Sequence, residues 1–106
     1  MLHLHYALGF IVVLTALVAI FNAQARRLVL YLLVLQIVVG AVTWWMLKVP
    51  PPPAHWILPI LAGGVYAMAS AFERRGRPAS VVMGVCVLGA LIIAYTFYLG
   101  MHAVAG

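Results

Sequence analysis

Residues 28–47 read LVLYLLVLQIVVGAVTWWML, a stretch without a single charged side chain. A helix needs about 20 mostly apolar residues to cross a bilayer, so this stretch predicts a transmembrane helix. Arg26 and Arg27 precede it and Lys48 follows it.

Three more apolar runs predict helices of the same kind, at residues 3–22, 55–72 and 80–102. The loops between the four runs are short, and short connections make successive helices antiparallel neighbours. We therefore predict one domain over residues 1–106. Its fold class is all-α, an integral membrane bundle of four antiparallel helices.

The composition agrees with a membrane protein and excludes some partners. Of the 106 residues, 68% are hydrophobic and 7% are charged, and the mean hydropathy is +1.21. Soluble domains have roughly 45–50% apolar residues, so the lipid bilayer is the expected solvent. The formal net charge is +5, but the basic residues lie in short loops and form no patch. We therefore exclude nucleic acid as a partner.

The arginines predict the orientation of the bundle. They flank the first and third loops, whereas the second loop carries only Lys48. Loops rich in arginine stay in the cytoplasm, so both termini are expected on the extracytoplasmic side. We expect a multi-pass protein of a prokaryotic inner (plasma) membrane.

All four histidines are predicted at one end of this bundle. His3 and His5 open the first run, His55 opens the third and His102 closes the fourth. Imidazole is the commonest protein ligand of haem iron and other transition metals. His3 and His5 are about 200° apart around a helix, so only one can face inward, and we expect it to be His5.

Small residues near the histidines predict room for a flat cofactor. Gly9 lies one turn beyond His5, Gly63 lies two turns beyond His55, and Gly40 lies between Gln36 and Thr43 on one face of the second helix. We interpret Gly9, Gly40 and Gly63 as contacts of a haem. His5 and His55 are its predicted iron ligands, with His102 in reserve.

Other metal and enzyme chemistries have less support. Met46 and Met101 beside histidines would suit copper, but the chain has no Met-x-x-Met run, so copper ranks below haem. It has no His-Glu-x-x-His and no Cys-x-x-Cys, the patterns typical of zinc enzymes. The sole acid, Glu73, is predicted at the end remote from the histidines, which leaves no carboxylate for acid–base catalysis.

A longer stretch resembles a known family. Residues 33–75, LVLQIVVGAVTWWMLKVPPPPAHWILPILAGGVYAMASAFERR, resemble the heme A synthase family, which has a helix with Leu-Gln…Gly…Thr, an outer loop and a helix opened by histidine. Here these elements are Leu35-Gln36, Gly40, Thr43 and His55. His5, in LHLHY, stands where the family has Glu-x-x-His-Arg. The resemblance implies that His5 and His55 are the axial ligands of haem b.

Departures from that family change the expected function. The glutamate and arginine of Glu-x-x-His-Arg are absent, and four helices stand where the family has eight. The resemblance therefore implies a haem-binding half and not a heme A synthase itself. Any second haem would need another chain, so a homo-oligomer or a subunit of a membrane complex is expected.

The leading hypothesis is a small cytochrome b-like subunit that transfers electrons, with a quinol or a cytochrome as redox partner. The alternative is a cofactor-free accessory subunit of a larger respiratory or photosynthetic membrane complex. A Soret absorption band in the purified chain separates the two. Transport of a small molecule is weaker, because the runs lack the inner charges that transporters usually carry.

Overall fold

The computed structural model describes the backbone of residues 2–48 and 53–105 and the side chains of residues 3–48 and 53–101. These residues form four helices, α1 (Leu2–Ala19), α2 (Ala23–Leu47), α3 (Pro53–Arg74) and α4 (Ala79–Ala105). Each helix packs against the next, and α4 returns to pack against α1. The prediction of an all-α, four-helix fold is confirmed.

The helices carry apolar side chains on their outer surface. Phe21, Tyr31 and Trp45 are each more than 70% exposed, as suits a surface that faces lipid rather than water. Helices α2, α3 and α4 are long and apolar enough to cross a membrane. Helix α1 has 18 residues and is about 27 Å long at 1.5 Å per residue. It is therefore shorter than the predicted first span.

The boundary between α1 and α2 differs from the predicted one. Residues 23–27 were expected to form a loop, but α2 already begins at Ala23. Asn22 is the cause, because its side chain accepts a hydrogen bond from the amide of Ala25 at 3.0 Å. Such a cap satisfies an amide at the start of a helix that has no partner within it. Arg26 and Arg27 consequently lie in the first turn of α2.

The second half of the chain also has longer helices than predicted. Helix α3 begins with Pro53, a residue that suits the first turn because its missing amide would have no partner there. It extends to Arg74, and α4 begins at Ala79. Gly76 makes the turn between them with a φ of +72°, which glycine adopts without strain.

Arg26 joins three helices at the end of the bundle remote from the histidines. Its side chain is 91% buried. Its Nη1 atom donates to Glu73 Oε2 at 2.8 Å, and its Nε and Nη2 atoms donate to the carbonyls of Ala19 and Ile20 at 2.8 and 3.1 Å. These carbonyls end α1 and have no helical amide to bind. Arg26 is therefore a buried, paired residue of α2 and not part of a loop.

The middle of the bundle is closed by close packing. Tyr66 of α3 and Cys86 of α4 are fully buried. The Tyr66 ring lies over the α4 backbone at Gly89, where an added Cβ atom would come within 2.7 Å of Tyr66 Cε2. This packing separates the Arg26 end from the histidine end.

Replacing Glu73 with glutamine should destabilise the protein by about 1–3 kcal/mol, because the buried Arg26 guanidinium would lose its counter-charge. The lower part of that range is expected, since the Glu73 side chain is 43% exposed and water screens the pair. Thermal unfolding in detergent measures the change. Arg27→Gln is the control, because Arg27 is exposed and its loss should cost under about 0.5 kcal/mol. Equal effects of the two substitutions would contradict this account.

Candidate functional site

A cavity of about 310 Å³ lies at the histidine end of the bundle. All four helices line it: the first half of α1, the second half of α2, the start of α3 and the last part of α4. Its wall is mostly apolar, and its polar side chains include His5, Gln36, Thr43, His55 and Thr96. We call this space the histidine cavity.

The two histidine rings approach each other across the histidine cavity. The ring centroids of His5 and His55 are 6.0 Å apart, and the ring planes are nearly perpendicular, at 89°. They come from α1 and α3, which are opposite helices in the cyclic order of the bundle. Side chains from opposite helices meet near the bundle axis, so the pair marks the centre of the cavity.

His55 is held by α4. Its Nδ1 atom lies 3.1 Å from the carbonyl oxygen of Thr96. A carbonyl oxygen can only accept, so Nδ1 carries the proton and donates it, and in the neutral ring Nε2 keeps a free lone pair. Gly100 makes this approach possible, because a Cβ atom there would come within 2.5 Å of His55 Cε1.

His5 is held by α2. The Gln36 Nε2 atom donates to the backbone carbonyl of His5 at 2.8 Å. Gly40 lies against the His5 ring, since a Cβ atom there would be 3.0 Å from His5 Cε1. Two polar atoms at this contact, His5 Nδ1 and Gln36 Oε1, are buried and make no hydrogen bond among the described residues. Buried polar atoms without a partner are rare in native proteins, so they call for an explanation.

The predicted site residues differ in where they lie. His5, His55, Gly9 and Gly40 all line the histidine cavity, whereas His3 is exposed. Gly63 is not among the lining residues, and a Cβ atom there would meet nothing within 4 Å. The reason is helical geometry, since Gly63 follows His55 by eight residues and is turned about 80° from it around α3. The side chain of His102 is outside the described residues.

Helix α4 contributes residues that the sequence reasoning missed. Thr96, Phe97 and Gly100 line the cavity, whereas the only α4 residue predicted for the site was His102. A signal was present, because Thr96 and Gly100 are four residues apart and so share one helix face. The same arrangement of a polar and a small residue was recognised in Gln36 and Gly40 of α2.

The site can offer nitrogen ligands but no carboxylate. Glu73, the sole acid of the chain, lies about 27 Å along α3 from His55, at 1.5 Å per residue. No group of three or more His, Cys, Asp or Glu side chains is placed to hold a metal ion within residues 3–48 and 53–101. What the described part of the cavity provides is two imidazoles in apolar surroundings.

Replacing Gly100 with alanine should displace His55 from Thr96, because the new Cβ atom and the imidazole cannot share the same space. Nuclear Overhauser contacts between the His5 and His55 rings should weaken. Gly84→Ala is the matched control on α4, since a Cβ atom there meets nothing within 4 Å. It should keep the ring contacts and gain about 0.5–1 kcal/mol of stability as a normal glycine-to-alanine change in a helix. Unchanged ring contacts in Gly100→Ala would contradict the packing described for His55.

Comparison with known proteins gives no match to this chain: no family model, no curated protein and no solved structure corresponds to it. The interpretation of the histidine cavity therefore depends on its own geometry and on the short sequence motifs that contain His5, Gln36, Gly40 and His55.

Proposed function

We propose that this chain is a small cytochrome b-like membrane subunit that binds haem b and transfers electrons. His5 and His55 would hold the iron from opposite sides. The observation that carries the proposal is the pair of imidazoles, one from each of two opposite helices, with ring centroids 6.0 Å apart inside a largely apolar cavity.

The spacing of the two rings suits one metal ion between them. Metal–imidazole bonds are about 2.0–2.1 Å long, so two imidazoles on opposite sides of one ion have ring centres roughly 6 Å apart. Haem iron needs only two ligands from the protein, because the porphyrin supplies the other four nitrogens. The two histidines therefore meet the requirement of haem without a third side chain.

The cavity also has features that suit a flat, apolar group. Its volume of about 310 Å³ falls at the lower end of the range of ligand sites, roughly 300–1,000 Å³. The ligands come from α1 and α3, whereas α2 and α4 contribute small side chains at Gly40, Gly100 and Thr96. Gly40 and Gly100 let the imidazoles of His5 and His55 lie against α2 and α4, and a macrocycle would occupy the apolar space of the cavity beside them.

The protein groups would set the properties of the two ligands. With both His5 and His55 as ligands, a bound haem would supply one-electron transfer rather than oxygen chemistry. The Thr96 carbonyl accepts the Nδ1 proton of His55, which orients that ring and makes its Nε2 a better donor. Gln36 is placed to do the same for His5, because its free Oε1 and the free His5 Nδ1 are buried at one contact.

The proposal includes a place in the cell and partners. Four spans, with α1 as the shortest, would put both termini and the histidine cavity on the extracytoplasmic side of a prokaryotic plasma membrane, because the arginines lie at the opposite end. A quinol or an external cytochrome would exchange electrons with the haem. The heme A synthase-like motifs support a second copy or another subunit as a neighbour.

Replacing His55 or His5 with alanine should abolish the low-spin haem spectrum of the protein expressed with ample haem, because each change removes an axial ligand. His3→Ala is the matched control, since His3 is exposed and two residues from His5. It should leave the Soret band unchanged, and His102→Ala tests the reserve ligand. A colourless wild-type protein would refute the haem proposal and favour the cofactor-free accessory subunit.

Replacing Gln36 with leucine should raise the midpoint potential of the bound haem, because His5 would lose an acceptor for its Nδ1 proton and become a weaker donor. Gln36→Glu should lower the potential, since a carboxylate is a stronger acceptor. Redox titration followed by absorbance measures both. Gln24→Leu is the control at the opposite end of α2, where the side chain is exposed. Potentials that shift in the same direction for both Gln36 variants would indicate a structural role only.

A further inference from the structure

The histidine cavity is exposed on one side only, within the described residues. Its exposed lining residues all belong to α2 and α3, while those of α1 and α4 are buried or half-buried. They are Ile37, Ala41, Trp44 and Leu47 of α2 and Trp56 of α3. The opening therefore lies between α2 and α3, and we call these five residues the mouth.

The mouth extends from the tip of the bundle, at Leu47 and Trp56, along its flank to Ile37 and Ala41. Ile37 and Ala41 lie one to three turns from the end of α2 at Leu47, within a helix that is apolar enough to cross a membrane. Side chains on this flank face lipid, and tryptophans such as Trp44 and Trp56 prefer the boundary between acyl chains and headgroups. A molecule that passes the mouth comes from the bilayer, so it must be soluble in lipid.

The packing of the helices is compatible with an opening between α2 and α3. Helices α1 and α2 pack closely, as do α3 and α4, whereas the α2–α3 pair and the α1–α4 pair share much less contact. The α1 and α4 side of the cavity is closed by buried residues such as Val12, Ile93 and Thr96. Packing alone therefore leaves two weak seams, and the exposed lining residues select the one between α2 and α3 as the opening.

We propose that the haem of the histidine cavity enters sideways from the membrane leaflet at the histidine end, through the mouth between α2 and α3. This inference rests on the proposed function. The flat macrocycle would pass edge-on between Ala41 and Trp56 and reach His5 and His55 inside. The tryptophans at the mouth would stay beside its polar edge at headgroup level, where propionate groups keep contact with water.

Ala41 gives a sharp test because it is the smallest residue of the mouth. Haem-free protein in lipid nanodiscs is mixed with vesicles that contain haemin, and the growth of the low-spin Soret band is followed in time. Ala41→Trp should slow loading by about tenfold, equivalent to about 1.4 kcal/mol of added barrier, without altering the final spectrum, because it narrows the entrance and leaves the ligands in place. Trp56→Ala should accelerate loading, since it widens the same entrance.

Ala94→Trp is the matched control, an alanine-to-tryptophan change at an exposed position of α4 that does not line the cavity. It should load at the wild-type rate. The lateral route would be overturned if Ala41→Trp loads haem at the wild-type rate, or if Ala94→Trp slows loading as much as Ala41→Trp does. If the wild-type protein itself develops no low-spin band, the proposed function fails, and that result is distinct from a haem-binding protein whose mouth variants load normally.

Discussion

The buried Arg26 guanidinium fixes the arrangement of the helices at one end of the bundle. Arg26 lies in the first turn of α2, and its guanidinium binds the carbonyls of Ala19 and Ile20 at the end of α1 and pairs with Glu73 of α3. One side chain therefore joins three helices. In lipid, helices gain little from hydrophobic burial against each other, and packing and polar contacts drive their association. A buried cation held by three hydrogen bonds is therefore a strong local constraint, and Glu73, the sole acid of the chain, lies where it neutralises the charge.

Because the contacts of Arg26 hold the helices together at one end of the bundle, the histidine end can stay partly open. Tyr66 and Cys86 close the middle of the bundle, and the histidine cavity begins beyond them. At that end two glycines leave space for the imidazole rings, Gly40 for His5 and Gly100 for His55. The imidazoles thus replace helix–helix contact at this level, which explains why the cavity and the ring pair occur together.

The sequence predicted the fold well because its signals are local. Apolar run length indicated the four helices, the 200° separation of His3 from His5 indicated that only one of their rings faces inward, and Gly9, one turn beyond His5, favoured His5. The helix ends were less predictable, since they depend on the Asn22 cap and on the carbonyls that Arg26 binds. The contribution of Thr96 and Gly100 could not be predicted from spacing alone, because it depends on how α4 is rotated against α3. Gly63 illustrates the same point. Its position on a helix was predicted correctly, but the side of α3 on which it lies does not face the cavity.

The free energy that the protein loses by leaving the histidine cavity unfilled is itself an argument for a ligand. A membrane bundle could fill such a space with larger side chains and gain packing contacts. Among the described residues three buried side-chain atoms make no hydrogen bond, and two of them, His5 Nδ1 and Gln36 Oε1, belong to residues that line this cavity; each such atom costs about 1–3 kcal/mol. A group bound between His5 and His55 would offset this cost by filling the space and drawing Gln36 and His5 together. The third unpaired atom, Tyr66 Oη, lies in the closely packed middle of the bundle, so only the pair at the histidine cavity lies where a bound group could supply the missing partners.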